Sequence, residues 1–325
     1  MGVTALPVIA EGLLEAGMDP DTPAAMVERG TLPGQRRCSA TLGTLRSRAE
    51  EMEIHSPALI IVGGVCALAE ALCWFERLPL HGKRLLVTRP KGRAGTLSEK
   101  LRALGADAVE FPCIRTEAIS PCPAMEAALD QLTEYEWLGF TSAAGVDAFW
   151  TCLRDMGKDA RALGGVKLAA IGPATGKALE THGLTADLIP AVCNAAHMGG
   201  ALAETAAGRV LLLRAEEGSP ALTDALAAAG VPYDDIAVYR TIYDNPRSLA
   251  LREELEAGRF DYVTFTSAST VKGFVSAIGE DADFSRFTGL CIGKQTAGEA
   301  EKHHISVKTA GKAAIDALVE LALEK

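Results

Sequence analysis

The chain has 325 residues, of which 48% are hydrophobic, 5% aromatic and 23% charged. That is apolar material for roughly two or three domain cores, and the scarcity of aromatics favours helices packed on sheets over an all-β sandwich. A net charge of −10, spread over both the first 80 residues (6 basic, 10 acidic) and the remainder, excludes the basic face that nucleic acid or an acidic membrane surface requires. None of the eight cysteines forms a C-x-x-C pair, and apart from His303-His304 the six histidines are dispersed. Reduced, buried thiols in a cytosolic protein are expected, and no metal site.

Glu11 and Glu15 interrupt the first apolar stretch, so it does not read as a secretion signal. Pro57–Phe75 is long enough to span a membrane but contains Gly63-Gly64 and Glu70. It reads instead as a buried strand, Ala58–Val62, a glycine turn, and a helix ending near Phe75.

From residue 84 onward the sequence repeats itself at an offset of 125. Arg84–Arg89 falls on Arg209–Arg214, Leu97 and Leu101 on Leu222 and Leu226, Gly105 on Gly230, and Arg115-Thr116 on Arg240-Thr241. Phe140-Thr-Ser-Ala143 falls on Phe265-Thr-Ser-Ala268; the offset then drops to 121, where Ile171-Gly172 and Thr175 meet Ile292-Gly293 and Thr296. A register held that long indicates duplication of one supersecondary unit, and two copies make a two-lobed protein rather than a solenoid.

Each copy reads as strand (85–88; 210–213), helix stopped by glycine (Gly105; Gly230), strand (109–114; 236–239), a strand ending in Phe-Thr-Ser, a helix from Ala143 or Ala268, and a strand (168–171; 290–292) running into glycine and another helix. The alternation predicts an α/β fold with parallel sheets covered by helices on both faces. Right-handed crossovers bring the strand ends to one edge, where open α/β sheets bind ligands. The polar residues there are Thr88, Arg89, Thr141, Ser142, Gly172, Thr175, Arg214, Thr266, Ser267, Gly293 and Thr296. Ser142 and Ser267 stand where N-caps stand, and Gly172-Pro173 and Gly293 open helices whose free N–H groups suit carboxylates or phosphates. Such residues also serve as plain helix caps, and inherited capping would be duplicated with the rest.

The segments Leu85–Pro90, Phe140–Val146, Ile171–Thr175, Val238–Thr241, Phe265–Val271 and Ile292–Ala297 resemble uroporphyrinogen-III synthases over about residues 82–325. The resemblance implies two interleaved Rossmann- or flavodoxin-like lobes, about 82–114 with 245–325 and about 120–236, linked by strands near Ile114–Ala118 and Val238–Tyr243. It replaces the simpler division 84–208 and 209–325 that the repeat alone suggests. It implies cyclisation of hydroxymethylbilane to uroporphyrinogen III, with inversion of the last ring and loss of water, without cofactor or metal. Tyr239, whose repeat counterpart is Ile114, matches the family's tyrosine beside the cleft and would donate to the departing hydroxyl. A packing tyrosine could diverge in the same way. The resemblance carries Ser142, Thr175, Ser267 and Thr296 over as substrate contacts. Lys294 replaces a proline often seen there and adds a cation. Hydroxymethylbilane is the expected partner, with the upstream hydroxymethylbilane synthase a candidate for transient handover.

Met1–Val3, Asp21–Thr31, Gln35-Arg36, Thr41–Leu45, Pro57–Gly63 and Trp74–Glu76 resemble the C-terminal half of uroporphyrinogen-III methyltransferases, with Pro79–Gly82 as the junction. The resemblance implies an α/β half-domain at 1–80, the tail of a methyltransferase–synthase fusion. The glycine-rich half that binds S-adenosylmethionine is not in this sequence, so no methylation by this chain is expected. Two other readings remain open: a two-lobed anion-binding protein, and a part of such a methyltransferase.

Overall fold

The computed structural model describes residues 2–89, 95–243 and 248–324. Pro90, in the first motif, lies outside them, as do residues 244–247, which follow the expected linking strand Val238–Tyr243. Two compact units emerge, Met1–Cys113 with Asn245–Lys325, and Ile114–Asp244.

The first unit opens with α1 (Gly2–Glu15), β1 (Pro23–Glu28), β2 (Arg36–Thr41), α2 (Leu45–Glu51) and β3 (Ala58–Val62). These strands form an antiparallel sheet in the order β2-β1-β3. Leu6, Met26, Cys38, Leu45, Ala49 and Ile54 make its core. Here two expectations are corrected. Strand β3 is not buried: it is an edge strand, and Leu59 is 64% exposed. No α-helix runs to Phe75, only one 3-10 stretch, Gly64–Leu68, which buries none of its residues and has no side-chain cap. A helix that short needs a packed face to persist, and this one has none.

The chain continues through β4 (Arg84–Val87), α3 (Gly95–Ala103), β5 (Asp107–Glu110), β6 (Arg115–Ala118), α4 (Pro123–Asp130), β7 (Tyr135–Phe140), α5 (Ala143–Asp155), β8 (Lys167–Ala170), α6 (Pro173–Glu180) and α7 (Ala195–Thr205). It then forms β9 (Arg209–Ala215), α8 (Pro220–Ala228), β10 (Tyr233–Ile242), α9 (Leu249–Glu256), β11 (Tyr262–Phe265), α10 (Ala268–Ile278), β12 (Thr288–Cys291), α11 (Lys294–Lys302), β13 (Ser306–Thr309) and α12 (Ile315–Leu323). Helices α3 and α8 hold the 125-residue register, and left-handed glycines follow both, Gly105 at φ 94° and Gly230 at φ 70°. The strand expected at 109–114 is shorter and earlier, at β5, because Pro112 has no N–H to give a ladder.

The larger sheet of the first unit has the order β13-β12-β11-β4-β5, every pair parallel. In the second unit the order is β6-β10-β9-β7-β8, parallel except for β6 against β10. Ranked by chain position among the parallel strands of each unit, the sheets read 2-1-3-4-5 and 2-1-3-4, the doubly wound arrangement. Each takes its first strand–helix–strand piece from one repeat and its later piece from the other, which is the interleaving the resemblance implies.

Strand β9 shows why the sheets are parallel. Val210–Leu213 is an unbroken apolar run, fully buried, as a strand covered on both faces requires. Leu211 and Leu213 face a core with Phe140, Phe149 and Val238. Val210 and Leu212 face another with Trp137, Met198, Leu202, Leu222 and Leu226. In the first unit Leu85 and Val87 pack with Leu97, Leu101, Leu290 and Leu318. Phe265, Phe274 and Phe287 meet edge to face elsewhere in that unit. Each such side chain stabilises by about 1.5–3 kcal/mol on burial.

Candidate active site

In an open α/β sheet the ligand site lies where neighbouring strands send their connections to opposite faces. In the second unit those neighbours are β7 and β9, since β7 leads towards β8 and β9 towards β10 on its other side. Ser142 lies two residues beyond the end of β7 and is the N-cap of α5, with extended backbone at φ −164°. Its Oγ accepts from the Gly145 N–H at 3.1 Å and donates to the Tyr239 hydroxyl at 2.8 Å. Gly145 must be small: a Cβ there would lie 3.0 Å from the Leu213 carbonyl oxygen.

Tyr239 lies near the end of β10 and is 9% exposed, its ring in the same core as Val238. The β10 ladder slips at this point: Ala237 stands opposite Arg214 and Tyr239 opposite Ala215, leaving Val238 extra. A bulge of this kind re-aims a side chain beside a site. The Tyr239 carbonyl accepts from the Glu216 N–H at 2.9 Å, which holds the β9 exit against it.

Gly172 follows β8 and caps α6, its extended φ of −172° available to any residue. A Cβ there would meet Cys193 Cβ and Sγ at 3.1 Å, so the close neighbour is what favours glycine. Cys193 is exposed and Cys66, Cys73 and Cys152 are half-buried, against the expectation of buried thiols. Thr175, in the first turn of α6, is 3% exposed, and its hydroxyl has no protein partner among the described residues. Arg214 is 7% exposed and fully engaged. It holds Asp235 through Nε–Oδ1 at 2.6 Å and Nη2–Oδ2 at 2.5 Å, and donates from Nη1 to the Ser219 carbonyl at 2.6 Å. The Asp235 hydrogen bonds push its pKa further up, so it stays cationic.

In the first unit the corresponding neighbours are β4 and β11. Thr88, at the end of β4, is fully buried and donates to the Thr264 carbonyl at 2.6 Å. Arg89 follows it, half-buried. Ser267 caps α10 and accepts from the Thr270 N–H at 3.2 Å, and Thr270 Oγ1 reciprocates towards the Ser267 N–H at 3.2 Å. Gly293 caps α11 with open space where a Cβ would be. Lys294 is the first residue of α11 and is exposed; Thr296, 4% exposed, has no hydroxyl partner among the described residues.

By their polar side-chain groups, seven of the expected residues fall into three kinds. Ser142 and Tyr239 are brought into direct contact. Thr175, Thr296 and Lys294 keep polar groups available at helix N-termini. Thr88 and Arg214 have theirs bound by protein partners. Sequence reasoning passed over Asp235 and Thr270. The first had a signal, since the repeat places an acid at both Glu110 and Asp235. Among the described residues no three His, Cys, Asp or Glu side chains gather as metal ligands, and no helix is long and apolar enough to cross a membrane.

Two doubly wound α/β sheets built from a duplicated unit, with a tyrosine–serine pair at one switch point, define the class. The chain belongs to the family described as Uroporphyrinogen-III synthase HemD, whose profile matches residues 95–320. It is 40% identical to the "Porphyrin biosynthesis protein HemD" of Ruminiclostridium josui over 100% of this chain, which spans 64% of that relative's length. It is 29% identical to a uroporphyrinogen-III synthase of Chlorobaculum parvum, over 69% of this chain and 91% of the relative. A siroheme synthase of Stutzerimonas stutzeri is 45% identical over 83 residues, 26% of this chain and 18% of that protein. Among solved structures, a mutant uroporphyrinogen III synthase of Thermus thermophilus shares the fold with a TM-score of 0.52 at 21% identity, over 74% of this chain and 98% of that one. The Helicobacter pylori uroporphyrinogen-III synthetase gives 0.50 at 19%, with the same coverage.

Proposed function

We propose that this chain closes hydroxymethylbilane into uroporphyrinogen III, with inversion of the last pyrrole ring and loss of water. Family membership supports the reaction class, and the hydrogen bond between Ser142 and Tyr239 at 2.8 Å carries the assignment of the site. The terminal C–O bond breaks with its electron pair going to oxygen, and Tyr239 gives that oxygen a proton, so that water leaves. The azafulvenium left behind is attacked by the substituted α-carbon of the last ring. The spiro intermediate reopens and recloses inverted, and the proton lost on rearomatisation returns to the phenolate. The reaction needs no redox agent or metal. What it needs is folding of a flexible chain and an acid placed at one oxygen.

The substrate is a polycarboxylate. Its proposed anchors are the N-termini of α5, α6, α10 and α11 with Arg89, Gly172, Thr175, Ser267, Gly293, Lys294 and Thr296. Thr88 and Arg214 are assigned to holding strand ends in place. Catalytic lobes of about 82–114 with 245–325 and 120–236 belong to this reading. So do a cytoplasmic location and handover from hydroxymethylbilane synthase. For residues 1–80 we propose descent from the C-terminal half of a tetrapyrrole methyltransferase. The supports are the motifs of that segment and short siroheme synthase matches of about its length.

The test is to incubate the purified chain with fresh hydroxymethylbilane and separate the products. Isomer III above the spontaneous background supports the proposal. Isomer I alone, from uncatalysed closure without inversion, refutes it.

A further inference from the structure

The two copies of the repeat place a serine at the same point, the N-cap of the helix after the Phe-Thr-Ser strand, and use it differently. Ser267 sits in a closed local motif: it accepts from the Thr270 N–H, and Thr270 accepts in return from the Ser267 and Thr266 N–H groups, each at 3.2 Å. At the position of Thr270 the other copy has Gly145, which offers no side chain and has no room for one, with the Leu213 carbonyl 3.0 Å from its would-be Cβ. Where this copy has Ile114, the second copy has Tyr239, and the strand order of the second unit sets it beside Ser142. The two changes together turn a local cap into a chain that runs from the Gly145 N–H to Ser142 Oγ and from the Ser142 O–H to the Tyr239 oxygen.

We infer that Ser142 is a positioning residue which acts on the reaction through the Tyr239 hydroxyl, rather than a side chain that grips the substrate. The inference rests on Tyr239 being the proton donor. A serine hydroxyl has one hydrogen, and here it goes to Tyr239. Tyr239 therefore receives a hydrogen bond at its oxygen and directs its own hydrogen elsewhere. When the phenol gives up its proton, the same bond becomes charge-assisted and strengthens. The amide at the α5 N-terminus polarises Ser142 in the same sense, since hydrogen bonds in series reinforce one another. Ser142 thus stabilises the phenolate more than the phenol, which is a contribution to kcat and not to KM.

The experiment is a double-mutant cycle with hydroxymethylbilane, measuring kcat, KM and the unfolding midpoint of each variant. Ser142→Ala is expected to lower kcat about 10–100-fold, the scale of one hydrogen bond to a charged group, with KM unchanged and the alkaline limb of kcat moved upward. Ser142→Thr keeps both cap and hydroxyl and is expected to restore most of kcat. Ser142→Asp keeps the cap but has no hydrogen to give, so its kcat falls while its folding holds. In a Tyr239→Phe background Ser142→Ala is expected to change kcat by less than about 3-fold, because neighbours that act as a unit are not additive. The same fold-loss in both backgrounds, or a raised KM at constant kcat, overturns the inference and returns Ser142 to direct substrate contact. If Tyr239→Phe alone leaves the rate of isomer III normal, the Tyr239 reading fails first and the inference with it.

Discussion

Adjacent glycines in α7 make opposite predictions from the same substitution. At Gly199 a Cβ would lie 2.8 Å from the Leu222 carbonyl oxygen, 2.9 Å from Ala225 Cβ and 3.1 Å from Leu222 Cα, so α7 and α8 touch through it. At Gly200 the same Cβ would meet nothing within 4 Å. Glycine to alanine inside a helix contributes about 1 kcal/mol of stability where there is space. The atoms crowding Gly199 are backbone or attached directly to it and cannot swing aside. Overpacking of this kind costs about 1–3 kcal/mol, and forcing α7 from α8 disturbs the layer containing Met198, Leu202, Leu222 and Leu226. Gly200→Ala is therefore expected to raise stability by about 0.5–1 kcal/mol and Gly199→Ala to lower it by about 1–2. The difference between the variants, about 1.5–3 kcal/mol, isolates the contact because the propensity gain cancels. Urea unfolding followed by circular dichroism reads it as midpoints moved in opposite directions at constant slope. Equal stabilisation by both substitutions would refute the close approach of the helices.

Tyr239→Phe removes one hydroxyl and is expected to slow isomer III formation by about 10²–10⁴-fold, with product shifting to isomer I as enzyme becomes limiting; an unchanged rate rejects Tyr239 as the acid. Asp235→Asn leaves the enclosed Arg214 guanidinium without its counter-charge and is expected to destabilise by about 3 kcal/mol, read as the shift in urea midpoint; a shift below about 0.5 kcal/mol refutes the importance of the pair. Tyr135 donates to Asp234 at 2.5 Å, and burial first, then that bond, pushes its phenol up to about 12. The folded chain therefore keeps a proton that the unfolded chain releases near pH 10, so this stabilisation is whole below about pH 10 and disappears as pH rises towards 12. Subtracting the stability–pH curve of Tyr135→Phe from that of the parent chain should show that fall, and parallel curves would rule it out.

How much of this was legible depended on how local each signal was. The capping serines, Ser142 and Ser267, were found because a serine between an apolar strand and a helical run is a short-range pattern. The strand–helix alternation survived because fully apolar runs such as Val210–Leu213 have few alternatives in an α/β sheet. The stretch after Gly63 misled, since an apolar run reads as helix whether or not anything covers it, and here nothing in its own segment buries Val65, Leu68 or Leu72. At the site, residue types pointed to the right loops, but what each polar group does was not in the pattern. The Ser142–Tyr239 bond spans 97 residues, and the threonine hydroxyl that meets Thr264 spans 176. Partnerships at such separations are decided by topology. The slip of the β10 ladder beyond Ala237, which sets the aim of Tyr239, leaves no mark in composition at all.

The pairing of β4 with β11 sets an order of events during synthesis. Leu85 finds its ladder partner at Tyr262, beyond the whole of the second unit. That unit is one continuous stretch whose strands pair among themselves, so it can assemble as soon as its last strand leaves the ribosome. Strands β4 and β5 form earlier but must wait as a two-stranded fragment, with the exposed edge of β4 unpaired, until β11 is made. Closing so long a loop is slow when the intervening chain is loose. A folded second unit holds the ends of that loop together and shortens the search. Damage inside residues 114–244 should therefore appear first as a failure of the other unit to mature, with an uncovered apolar edge open to aggregation.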